Sequence, residues 1–179
     1  MRHEIRLQGS GGQGIITAGR LLGEAASLHQ RKEAIMTEDY SPYVTGGWSR
    51  ADLIISDEPI DYPLVTEPEI LIAMSRDGLE DNWDRTSKGA TIIVETRYMD
   101  SRALNGRRLF NVPALGIAEE LGDKVVANIV MLGVLAAETH IVGREALETA
   151  IANRYPKAVE LNQRAFSRGC NHSSEDNSR

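Results

Sequence analysis

Six residues near the start of the chain, Gly9, Ser10, Gly11, Gly12, Gln13 and Gly14, lie between a short apolar run and a helical pattern. Glycines at such a turn permit positive φ and let another group approach the backbone. The first turn of the helix that follows offers N–H groups to an anion or an acceptor. Gly9, Gly11 and Gly14 satisfy GxGxxG, and Glu38 or Asp39 near the end of the next strand then stands as the ribose acceptor of a dinucleotide site. A tight strand-to-helix turn also needs glycine for packing alone, so both readings stand at this point. No Gly-Lys-Ser/Thr follows the loop and Ser10 is not in a GxSxG elbow, so P-loop ATP hydrolysis and serine-hydrolase chemistry lose support.

The remaining reactive side chains are sparse. Cys170 is the only cysteine, too few for a disulfide framework or a thiolate-ligated cluster. His3, His29, His140 and His172 have no partner at HxxxH or HxxEH spacing, so no metal site is expected. A second loop, within the stretch TEDYSPYVTGG, is interrupted by Pro42, Gly46 and Gly47 and carries Tyr40 and Tyr43, with Trp48 just beyond. Aromatics of this kind suit a protein interface. Asn128 opens an otherwise apolar helix, where it can bond the glycine loop, a neighbouring chain, or a plain cap or core partner. Arg50, Arg76 and Arg97 are solitary and read as solvated charges.

These groups need elements to hold them. His3 to Gln8 reads as a strand, and Ile15 onward as a helix carrying Ile15, Ile16, Ala18, Leu21, Leu22, Ala25 and Ala26. Ala34 to Met36 begins a second strand, and TEDYSPYVTGG reads as irregular. Ala51 to Ser56, Ile70 to Met74, Ala90 to Glu95 and Arg108 to Val112 are short apolar or β-branched runs, as expected for strands covered on both faces. Gly78 to Ser87, Pro113 to Leu121, Val125 to Thr139, Arg144 to Tyr155 and Lys157 to Ser167 read as helices. Val125 to Thr139 is apolar nearly all round and belongs in a core or an interface. The expected fold is a three-layer α/β/α domain with a mostly parallel central sheet, Rossmann-like in its first strand–loop–helix unit. Its two loops, 9–14 and 40–47, are expected at the same end of that sheet. One domain over residues 1–170 and a polar, disordered tail over 171–179 complete the expected layout.

Composition bounds the function. With 179 residues, 41% hydrophobic and 26% charged, the chain has the make-up of one globular domain. A net charge of -6 with scattered basic residues gives no electrostatic footprint for nucleic acid. No apolar run approaches the roughly 20 residues a membrane span requires. MRHEIRLQ leads straight into a strand with no apolar signal segment, so the expected location is cytoplasmic.

GSGGQGIITAGRLL resembles the opening of the gamma subunit or gamma domain of pyruvate, 2-oxoglutarate and related 2-oxoacid:ferredoxin oxidoreductases, with Gln13 and the Ala18-Gly19 pair sharpening the match. The resemblance continues through DYSPYVTGGWSRADLIIS and NIVMLG, and ends at Asn162, Ala165, Phe166 and Gly169, which fit the family's NxxAFxxG. The blocks stand in family order from Gly9 to Gly169. The central loop of many relatives reads YGPExRGG, whereas Tyr40 to Gly47 lacks both the Glu and the Arg, so substrate class does not carry over from it.

The resemblance implies an accessory subunit that is inactive alone. Alpha and beta subunits would hold thiamine diphosphate with Mg²⁺, and a ferredoxin-like delta subunit or segment would hold [4Fe–4S] clusters. The assembly would convert a 2-oxoacid and coenzyme A to acyl-CoA and CO₂ while reducing ferredoxin. Under it, Gly9 to Gly14 contacts coenzyme A or another subunit, and Tyr40, Pro42, Tyr43, Gly46, Gly47, Trp48 and Asn128 form an interface. No catalytic residue is expected in this chain. The equivalent subunit of indolepyruvate oxidoreductase and a free-standing dinucleotide-binding protein are the alternatives.

Overall fold

The computed structural model describes residues 1–42, 47–99 and 104–176, with side chains through His172. Six strands, β1 (Arg2–Ser10), β2 (Glu33–Tyr40), β3 (Trp48–Ser56), β4 (Ile70–Ala73), β5 (Thr91–Glu95) and β6 (Arg108–Val112), form one sheet in the order β2-β3-β1-β4-β5-β6. β1, β4, β5 and β6 are mutually parallel, while β3 runs antiparallel to both β1 and β2. The sheet is therefore mixed, with β3 alone running against the others.

Among the described residues six α-helices flank it: α1 (Ile15–Glu24), α2 (Arg76–Trp83), α3 (Ala114–Leu121), α4 (Ala127–Thr139), α5 (Arg144–Arg154) and α6 (Val159–Asp176). Alternation along each strand builds two unequal cores. Ile5, Leu7, Leu53, Ile55, Ile70, Ile72 and Ile93 face one side with α1, α4 and α5. Leu71, Ala73, Ile92 and Val94 face the other, where Leu79 and Trp83 of α2 join them and half-buried Met99 and Leu109 pack alongside. α4 is buried on nearly every side, as its unbroken apolar run requires.

α4 and α6 cross with their backbones in contact. A Cβ on Gly133 would fall 2.2 Å from the Phe166 carbonyl oxygen, and one on Gly169 would fall 2.0 Å from that of Val130. The helix expected to end at Ser167 continues past it, because Gly169 serves the close approach, and α6 runs on to Asp176. His172 Nε2 meets the Asn111 carbonyl at 3.1 Å and ties that last stretch to β6. β2 likewise continues through Thr37 to Tyr40, where an irregular segment was expected. Edge strands tolerate polar residues because one side faces water, so no apolar alternation marks these positions.

The thinly covered face carries a buried polar network. Arg6 and Asp52 are direct cross-strand partners, and the Arg6 guanidinium donates twice to the Asp52 carboxylate, at 2.7 and 2.6 Å. It also donates to Asn82 Oδ1 at 3.1 Å, and Asn82 Nδ2 donates to Gln8 Oε1 at 2.9 Å, which fastens α2 to β1. Arg6 is only 5% exposed. Removing one member of such a pair leaves a charge buried without its partner, so Asp52→Ala is expected to lower unfolding free energy by about 3–5 kcal/mol. Replacing both with apolar residues of similar size is expected to recover most of that loss, and denaturant unfolding of the two variants beside the unaltered protein checks both outcomes.

Candidate functional site

The chain leaves β1 for α1 on one face of the sheet and leaves β4 for α2 on the other. β1 and β4 are adjacent and parallel, so their carboxyl ends border a topological switch point, where open α/β sheets bind ligands. The loop Gly9–Gly14 sits there.

Side chains fix the loop's shape. Gln13 Oε1 accepts from the Ser10 N–H at 2.7 Å, and Gln13 Nε2 donates to the Met74 carbonyl at 2.8 Å. One carboxamide thus closes the turn and anchors it on the end of β4. Gly9 leaves room for this clasp, since a Cβ there would lie 2.5 Å from Gln13 Oε1. Gly14 caps α1 at φ 72°, a left-handed backbone that side chains disfavour. Its carbonyl accepts from Asn128 Nδ2 at 3.0 Å, and a Cβ would meet that nitrogen at 2.4 Å. Asn128 is 3% exposed, so this bond joins α4 to the loop deep in the structure. Its Oδ1 is buried without a hydrogen-bond partner among the described residues.

The structure brings the two expected loops together. Ser10 pairs with Trp48 in register, and the Gly11 N–H donates to the Gly47 carbonyl at 2.7 Å. Tyr40 is 55% exposed and Pro42 is exposed beside it. Trp48 was expected in the open but is half-buried, with the Arg50 guanidinium 5.6 Å from its ring centroid. Tyr43 and Gly46 lie outside the described residues. Arg50, expected as a free surface charge, also donates to Asp39 Oδ2 at 2.6 Å.

The dinucleotide reading loses its geometry. A ribose acceptor sits at the end of the strand beside β1, but β3 occupies that place and β2 lies two strand spacings away, about 10 Å. Both proposed acceptors are engaged as well. Glu38 accepts from Tyr40 Oη at 2.5 Å and from Arg20, and these two bonds hold its carboxyl below the ordinary range. The same bond to Glu38 pushes the Tyr40 phenol up.

What remains open at the switch point is backbone. Among the described residues α1 has no side-chain cap, so its first N–H groups have no side-chain acceptor, whereas Ser75 Oγ accepts from Gly78 N–H and caps α2. Ser75 and Met74 were not singled out from sequence, although Ser75 three residues before a helical Gly78 is a capping signal. Farther along the same end, Arg97 and Lys124 both reach Glu119, each at 3.2 Å, and Lys124 first, then Arg97, lowers that carboxyl's pKa. Among the described residues no group of three His, Cys, Asp or Glu is placed to hold a metal. Cys170 is buried and the only thiol, and burial pushes its pKa up, so this donor set does not fit an iron–sulfur cluster.

The loop's geometry carries a direct prediction. Gly14→Ala combines positive φ with a clash on Asn128, so it is expected to cost more than Asn128→Ala, which removes one hydrogen bond worth about 1 kcal/mol and leaves the Gly14 carbonyl still bonded to the Ala18 N–H. Thermal unfolding of the two variants gives the order, and faster amide exchange at Ser10 in Gln13→Ala reports release of the clasp.

Comparison with known proteins agrees with this architecture. The chain is 43% identical to the 2-oxoglutarate synthase subunit KorC of Methanocaldococcus jannaschii over 173 residues, covering 94% of this chain and 92% of the relative. It is 44% identical to the subunit of the same name from Methanothermobacter marburgensis, over 94% and 95% of the two chains. The solved gamma subunit of a keto/oxoacid ferredoxin oxidoreductase from Geobacter sulfurreducens superposes with a TM-score of 0.88 at 33% identity over 98% of each chain. The family described as pyruvate ferredoxin/flavodoxin oxidoreductase matches residues 4–172, and the chain belongs to that family.

Proposed function

We propose that this chain is the gamma-type accessory subunit of a 2-oxoacid:ferredoxin oxidoreductase, with 2-oxoglutarate as the oxoacid. The observation that carries the reading is the joined surface of loops 9–14 and 40–47, set at the switch point in a chain whose described residues offer no redox or metal centre. The full-length similarity to 2-oxoglutarate synthase subunits supports the choice of substrate.

The hard chemistry then belongs to partner chains: alpha and beta subunits with thiamine diphosphate and Mg²⁺, and a ferredoxin-like delta subunit or segment with [4Fe–4S] clusters. Thiamine diphosphate stabilises the carbanion left by decarboxylation. This chain's part is to present a rigid surface. The uncapped first turn of α1 suits a phosphate of coenzyme A, and exposed Tyr40 and Pro42 suit a neighbouring subunit. No residue of the chain takes a catalytic role, residues 1–170 act as one domain, and the assembly works in the cytoplasm.

Anaerobic affinity purification of the tagged protein from its native cell tests the reading. Thiamine-binding and ferredoxin-like chains are expected to co-purify and to reduce a viologen dye with 2-oxoglutarate and coenzyme A, faster than with pyruvate or indolepyruvate. Recovery of the chain alone with a bound nucleotide would sink the reading.

A further inference from the structure

β2 leaves its outer edge open. Ser41 N–H donates to the Trp48 carbonyl at 2.9 Å, which fixes the alternation of the β2–β3 ladder. Glu33, Ile35, Thr37 and Asp39 turn their N–H and C=O groups toward β3, and Ala34, Met36 and Glu38 turn theirs outward. None of these three has a backbone hydrogen-bond partner among the described residues. Proteins ordinarily blunt such edges with short strands, Pro, Lys or a covering element. The opposite edge follows that rule: β6 has five residues, and its Asn111 carbonyl is met by His172. β2 has eight, contains neither Pro nor Lys, and pairs without a bulge.

Beside this edge, α1 and β2 border a mostly apolar groove of about 240 Å³ lined by Arg20, Gly23, Glu24, Ser27, Ala34 and Met36. Leu28 stands 72% exposed in the π-helical turn Ala25–His29 that continues α1 and touches β2. We infer that the free edge of β2 receives an extended segment of a partner subunit as an added strand. Its backbone pairs with Ala34, Met36 and Glu38, and alternate apolar side chains enter the groove. The segment is basic: Arg20 and Arg50 offset Glu38 and Asp39, but Glu33 on β2 and exposed Glu24 in the groove leave the edge with an excess of negative charge, and β2 itself carries no base. A second copy of this chain fits poorly, because two-fold pairing centred on Met36 sets Glu33 of each strand opposite Asp39 of the other.

The inference rests on the subunit reading, and residue-resolved amide exchange on the full chain, free and in the anaerobically purified assembly, separates the two. Ala34, Met36 and Glu38 amides are expected to exchange at least tenfold more slowly in the assembly, with Ile35 and Thr37 little changed. Partners that co-purify while these three amides stay fast overturn the inference and leave the subunit reading standing; absence of partners overturns both. Protection in the isolated chain that rises with its concentration assigns the edge to a second copy and overturns the inference as well. Gly23→Phe, which fills the groove, is expected to reduce partner recovery at least tenfold relative to Gly23→Ala at an unchanged melting temperature; equal recovery contradicts it.

Discussion

The carboxamide of Gln13 accepts the Ser10 N–H and donates to the Met74 carbonyl, so a single side chain both shapes the glycine loop and pins it across the gap between β1 and β4. It adds to the short parallel ladder and to the Met74 N–H bond on the Gln8 carbonyl, which join the two strand ends. Asn128 holds the other end of the loop by the Gly14 carbonyl. The loop is therefore preorganised by packed side chains, and a surface that is already ordered loses little entropy when something docks on it.

Around this point the fold is lopsided. α1, α4, α5 and their neighbours bury one face deeply, whereas among the described residues α2 supplies the α-helical cover of the other. The thin side relies on polar contacts in place of apolar depth: Arg6, Asp52, Asn82 and Gln8 are paired with one another, and Glu4 accepts from the Thr66 and Glu67 N–H groups to hold the approach to β4. Burial pushes the Glu4 carboxyl up, but those bonds and Arg2 outweigh it and leave the pKa lowered. Reversing β3 between β1 and β2 sets Gly47 and Trp48 beside the glycine loop, which is how two segments far apart in a Rossmann arrangement come to touch.

Much of this was legible in the residues. Gly9 to Gly14 between strand and helix, Asn128 at the head of an apolar helix, and the apolar runs of β4 and β5 all pointed to where they lie. Other features left weaker traces. Thr37 to Tyr40 is polar, and Pro42 and Gly46 announce a break, so an edge strand passed for a loop; yet a connection as short as residues 41–47 already calls for an antiparallel pair, since parallel strands need a longer crossover. Gly169 is one residue of a family pattern in the sequence, and the partner helix reveals that it is a close contact. The Arg6–Asp52 pair was invisible because its meaning lies in register, which no single strand contains.

On the proposed function, loops 9–14 and 40–47 form the working face of a subunit whose chemistry is done by others. Electron cryo-microscopy of the anaerobically purified assembly with coenzyme A added tests it most directly. The account predicts this face turned inward, against a thiamine-bearing chain or with coenzyme A phosphate at the start of α1. A well-resolved assembly in which the face looks into solvent, and other surfaces of the chain make all the contacts, would contradict it.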